Sequence, residues 1–228
     1  MFGLDDWIAS LSDGTTIFVV LAVAVLLGLR HASDPDHLAA VTTLVASGDE
    51  RRARRAARLG AWWGVGHATT LFAFGVPIIV FRTHLPEAVQ RGAETAVGVM
   101  IVGLAIWLLV RWRRGAFRAH PHAHPTRTRS PLGALAIGLV HGMGGSAGVA
   151  VLLLATVDST SLALVSLALL AAFTAVSMTL LTTGFGLTLA SAPVRRRFAA
   201  AAPVLGISSL VFGVWYALGA LTLLPYVF

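Results

Sequence analysis

Apolar residues in this chain come in long blocks separated by short polar segments. A helix that spans a bilayer needs about 20 predominantly apolar residues. Six blocks reach that length, at roughly 15–33, 59–81, 93–112, 131–156, 160–190 and 202–224. The pattern predicts an all-α integral membrane protein of six transmembrane helices, forming a single domain over residues 1–228. One half covers about 15–112 and the other about 131–224. A loop rich in His and Arg, 113–130, joins them.

The polar segments carry an orientation signal. Arg51, Arg52, Arg54, Arg55 and Arg58 fall in the first connection. Arg111, Arg113, Arg114, Arg118, Arg127 and Arg129 fall in the third, and Arg195, Arg196 and Arg197 in the fifth. The alternate connections hold only Arg82 and Arg91. By the positive-inside rule the arginine-rich loops face the cytoplasm and both termini face out. The expected location is the cell (inner) membrane. Residues 1–13 hold Asp5, Asp6 and Asp13 but no basic residue, so no cleavable signal peptide is expected.

The first block has no clean end. As one helix, 15–47 would run about 50 Å, too long for a bilayer. Pro35 cannot donate to the carbonyl of His31, and its ring disfavours helix at Asp34. Asp34 suits an N-cap and Pro35 a first helical position. A broken helix follows, one piece ending near His31 and a second running from Pro35 to about Ser47. Broken helices expose backbone carbonyls and a helix N-terminus beside ionisable side chains, as in transporter binding sites.

The two halves resemble each other. Gly28-Leu29-Arg30-His31 matches Gly138-Leu139-Val140-His141. Ala61-Trp62 followed by His67 lines up with Ala172-Phe173 followed by Met178, and Gly98 and Trp107 with Gly206 and Trp215. Three spans per half is an odd number, so the halves are expected to form a 3+3 inverted repeat. Such repeats place their site near the midplane.

Composition changes the picture in three respects. Hydrophobic residues make up 57% and charged residues 12%, about half the charged share of a soluble domain. Cysteine is absent, which excludes disulfides, zinc–cysteine sites and thiol catalysis. The net charge of +7 comes from arginine alone and sits between the spans, so no nucleic-acid partner is expected.

The candidate chemistry lies inside the apolar blocks. Arg30, His31, Asp34, Asp36 and His37 crowd the break in the first block, His67 lies in the second and His141 in the fourth. Ionisable residues within a span mark a functional site by default. Imidazole and carboxylate together ligate divalent transition metals. An ion pair of Arg30 with Asp34 or Asp36 is the plain structural alternative for the acidic residues. Met178 fits core packing. His120-Pro121-His122-Ala123-His124 in the central loop is either a weak metal-handling tract or a proline-spaced linker.

Arg30-His31-Ala32-Ser33-Asp34-Pro35-Asp36-His37-Leu38 resembles the signature of the nickel/cobalt transporter superfamily, a His, four residues, then Asp-His. Gly66-His67-Ala68-Thr69 resembles that family's second motif. The second half has no intramembrane carboxylate, and His141-Gly142-Met143-Gly144-Gly145-Ser146 is more similar to the shorter, urease-accessory-like branch. The resemblance implies a permease whose metal site is formed by His31, Asp36, His37 and His67, with Asp34 and His141 in support. It implies no permanently bound cofactor, with Ni²⁺ or Co²⁺ as the transported substrate and the lipid bilayer as surroundings. A homo-oligomer stays open.

Three functions are distinguished at this point: nickel or cobalt uptake, efflux by the same fold, and an intramembrane metalloenzyme. The third ranks last, because di-iron membrane oxygenases carry more histidines than the four that lie within the predicted spans.

Overall fold

The computed structural model describes residues 15–45, 52–115, 130–142, 154–189 and 191–225, with single positions 144, 148 and 151. The described residues form seven α-helices and no strand: α1 Thr15–His31, α2 Pro35–Val45, α3 Arg52–Phe81, α4 Glu87–Arg113, α5 Pro131–His141, α6 Thr160–Thr188 and α7 Ala192–Ala220. The tract His120–His124 and both termini lie outside the described residues, as does most of Gly142–Gly148.

Local chemistry sets several helix starts. Pro35 opens α2, and the backbone N–H of Leu38 donates to the carbonyl of Asp34 at 2.9 Å. Ser130 caps α5 by accepting from the N–H of Gly133 at 3.1 Å, with Pro131 in the first turn. Ser159 caps α6 through the N–H of Leu162 at 3.3 Å. In each case a hydroxyl or carbonyl oxygen takes up an N–H that has no partner within the helix.

Four stretches are long and apolar enough to cross a membrane: Arg54–Phe81, Glu87–Arg113, Thr160–Thr188 and Arg197–Ala220. Ile17–His31 and Pro131–His141 are apolar but shorter. The break expected at Asp34–Pro35 is present between α1 and α2. The fourth apolar block, expected to run from 131 to 156, is also interrupted: its first helix stops at His141. Meanwhile α3 begins at Arg52 rather than near 59. Hydropathy detects where lipid contact ends, whereas backbone hydrogen bonding carries the helix on through the arginine-rich turns.

Helix α3 is central. It packs against α5 and α6, while α1 packs on α6 and α4 on α7. Short α2 reaches α4, α6 and α7. The α3–α5 crossing brings backbones into contact. A Cβ on Gly138 would lie 2.1 Å from the Trp63 carbonyl oxygen, and one on Gly66 would lie 2.2 Å from that of Leu135. Only glycine fits at both positions, the small-residue logic of membrane helix pairs. The crossing places His67 and His141 on adjoining helices at one level.

Two cross-helix hydrogen bonds fix the ends of α1 and α5. Ser177 Oγ on α6 donates to the Leu29 carbonyl at 2.6 Å. Thr70 Oγ1 on α3 donates to the Leu139 carbonyl at 2.9 Å. Each carbonyl belongs to the residue two before a histidine, His31 or His141.

Candidate metal centre

The last turn of α1, the first turn of α2, the middle of α3 and the last turn of α5 converge on one buried cluster. His31, Asp36, His37, His67 and His141 are each at most 7% exposed. Carboxylate and imidazole are costly to bury in such surroundings unless they bond to one another or to an ion.

The bonds are short and mutual. His31 Nε2 and His67 Nε2 lie 3.0 Å apart. Asp36 uses both oxygens, Oδ1 toward His37 Nδ1 at 3.2 Å and Oδ2 toward His141 Nε2 at 2.9 Å. His37 occupies the middle, its ring stacked on His141 at 4.1 Å between centroids and edge-on to His31 at 4.4 Å. His67 Nδ1, His37 Nε2 and His141 Nδ1 are buried without a hydrogen-bond partner.

Two trios of side chains have ligand atoms all within 4.8 Å of one another: His31, His37 and His67, and Asp36, His37 and His141. His37 belongs to both. Asp34 belongs to neither. Its carboxylate meets His31 Nδ1 at 3.3 Å and the Arg30 guanidinium at 3.8 Å, leaving His31 Nε2 for the cluster. A carboxylate on the far nitrogen of a histidine orients the ring and selects its tautomer. Of the ion pairs open to Arg30, the structure forms the one with Asp34.

Trp63 is a neighbour that residue patterns alone did not single out for this role. Fully buried on α3, it packs against His37 at 5.4 Å and His141 at 5.8 Å. Its position one turn before His67 puts it on the same face, which is the only sequence signal it gives. Thr70, three residues after His67, was likewise legible only as a small hydroxylated residue. Met178 sits in the adjoining apolar core with Trp63, Ala32, Ala40 and Val41, as core packing predicts.

A bundle of apolar helices with buried imidazoles and a carboxylate gathered inside it defines a class: polytopic membrane proteins with an ionisable cluster among their helices. Residues 17–132 match the NicO family, described as high-affinity nickel-transport protein, and the chain belongs to that family. It is a transporter family, so the protein is not an enzyme. Over 214 residues the chain is 30% identical to a urease accessory protein UreH from Bacillus sp. (strain TB-90), covering 90% of this chain and 92% of that one. A high-affinity nickel transport protein from Cupriavidus necator is 32% identical over 110 residues, 47% of this chain and 31% of that relative. A putative nickel/cobalt efflux system from Methanocaldococcus jannaschii is 26% identical over 165 residues, 71% of this chain and 73% of that one. No solved structure matches the chain.

Proposed function

We propose that the protein carries nickel, with cobalt as the alternative cargo, inward across the cell membrane through the cluster of His31, Asp36, His37, His67 and His141. Asp34 acts behind His31 as its orienting partner. The single observation that carries this reading is the pair of ligand trios sharing His37, buried where α1 and α5 end against the middle of α3.

The donor set supports the cargo. Imidazole nitrogen suits Zn²⁺, Cu²⁺ and Ni²⁺ alike, so chemistry alone does not choose among them. With one imidazole carrying the proton, His31 and His67 hydrogen-bond. With both lone pairs turned inward, their 3.0 Å separation suits two ligands about 90° apart at metal–nitrogen distances of about 2.1 Å. That angle belongs to tetragonal and octahedral sites more than to the tetrahedral sites of structural zinc. The relatives named for nickel and urease support nickel and inward supply.

The architecture we infer is a 3+3 inverted repeat of six membrane crossings, with both termini outside and the arginine-rich loops in the cytoplasm. Support comes from packing that recurs at matched positions. A Cβ on Gly98 would lie 2.7 Å from Ala217 N, and one on Gly206 would lie 2.6 Å from Leu109 Cδ2. Gly206 follows Gly98, and Ala217 follows Leu109, by the same offset along the chain. The Ser177–Leu29 and Thr70–Leu139 hydrogen bonds end on carbonyls at the matched positions 29 and 139, each from a hydroxyl on the helix packed against that one.

Radioactive nickel uptake into cells expressing the wild-type chain or His37→Ala tests the reading. Uptake above the vector control is expected for the wild type and background uptake for the variant. Wild-type uptake by His37→Ala sinks the assignment. Efflux is the second reading, favoured by the relative named for it. A deletion strain that becomes nickel-sensitive indicates export, and one that loses nickel-enzyme activity indicates import.

A further inference from the structure

Glu94 is a buried carboxylate that the histidine cluster does not use. It lies on α4, two turns from the helix start at Glu87, and is 7% exposed. Among the described residues its hydrogen-bond partner is neutral: Gln90 Nε2 donates to Glu94 Oε1 at 3.2 Å. The nearest arginine in sequence, Arg91, is bonded to Glu87 instead. Among the described residues no basic side chain pairs with Glu94. A carboxylate in a span with no basic partner is costly to keep and marks a cation or proton pathway.

Its surroundings link it to the site. A Cβ on Gly144 would stand 3.4 Å from Glu94 Cα and 3.1 Å from Val97 Cγ2. Gly144 comes two residues after Gly142, just beyond the end of α5 at His141. Val97, one turn on from Glu94, packs in one buried cluster with Ala39, two residues after His37. Glu94 thus lies against Gly144 and one helical turn from the place where α2 meets α4. It lies on the side of the cluster away from the arginine-rich segments, since α4 runs from Glu87 toward Arg111 and Arg113.

The repeat-related position on the opposite side is apolar. At the offset that relates Gly98 to Gly206, Glu94 corresponds to Ala202, which is fully buried in apolar packing. A carboxylate on one side and a methyl group on the other gives the path a polarity that a symmetric scaffold lacks.

Resting on the inward-transport reading above, we propose that Glu94, with Gln90 beside it, is a staging site that receives the hydrated divalent cation from the external face and passes it to the histidine cluster. Its negative charge concentrates cations at that mouth, and its oxygens replace part of the water shell that the metal sheds before meeting imidazole.

The test compares E94Q, E94D and His37→Ala in full-length protein, with nickel uptake measured across a concentration series and nickel binding by calorimetry on purified protein. For E94Q the KM for Ni²⁺ should rise about tenfold, the loss of one charge attraction, while nickel still binds the cluster with wild-type affinity. E94D, which keeps the charge, should recover most of the KM. A wild-type KM in E94Q, alongside an inactive His37→Ala, overturns the staging role and leaves the transport reading intact. An E94Q protein that no longer binds nickel at the cluster makes Glu94 part of the packing and also overturns the proposal. Wild-type uptake by His37→Ala overturns the transport reading itself.

Discussion

His31 Nε2 and His67 Nε2 meet 3.0 Å apart, joining the last turn of α1 to the middle of α3. The break after α1 gathers the other ligands at the same point. A continuous helix through Pro35 would carry His37 and Asp36 onward instead of returning them toward His31.

The shared position of His37 ranks the site residues. His37→Ala removes a ligand from both trios, while His31→Ala, His67→Ala or His141→Ala removes one from a single trio. Nickel affinity of the purified protein should fall more than about 100-fold for His37→Ala and less for each of the others, since even outer-shell changes cost about 10–100-fold. Calorimetric titration checks the order. Equal losses for all four would contradict a shared central ligand.

The two aspartates should differ. Asp36 bonds two histidines of the cluster, whereas Asp34 acts through His31 and Arg30. Asp34→Asn should weaken nickel binding by about 10-fold, within the range for an orienting partner, and Asp36→Asn by more. Isothermal titration of both variants decides it, and the reverse order would make Asp34 the direct ligand.

Acid should release the metal. Four imidazoles face the cluster, and each must be neutral to offer a lone pair to an ion, so protons and nickel compete. Affinity should therefore fall as pH falls, and binding should expel protons when the cluster starts partly protonated. Titrations in buffers of differing ionisation enthalpy read the proton count. Affinity that rises on acidification would exclude imidazole ligation.

Glycine substitutions separate packing from site chemistry. Gly138→Ala forces a methyl to 2.1 Å from the Trp63 carbonyl oxygen and should cost about 1–3 kcal/mol or abolish folding. Gly103→Ala on α4 meets nothing within 4 Å and should be neutral or stabilising by up to about 1 kcal/mol. Thermal unfolding in detergent compares them, and matched midpoints would mean that the α3–α5 contact is looser than described.

Much of this was readable from residue order, for a physical reason. Proline at 35 and a capping residue at 34 act within a few residues, so the break between α1 and α2 follows from local chemistry alone. Buried histidines and aspartates stand out because hydrocarbon makes them expensive. The interruption after His141 was less visible, since glycines permit a helix to end without requiring it. Trp63 and Ser177 were harder still. Each acts through a partner on another helix, and spans that are apolar on all sides give no periodicity to show which face meets which neighbour. α3 extends beyond its apolar block because arginine forms helix as readily as leucine does.

The crossing hydrogen bonds bear on how the chain is made. Thr70 reaches forward to α5 and Ser177 reaches back to α1, and Asp36 completes its bonding only when His141 arrives. During synthesis, His31, Asp36, His37 and His67 enter the membrane well before residue 131 leaves the ribosome. A chain cut after α4 leaves Asp36 without its His141 partner and should be degraded faster than the full chain, as pulse-chase labelling would read.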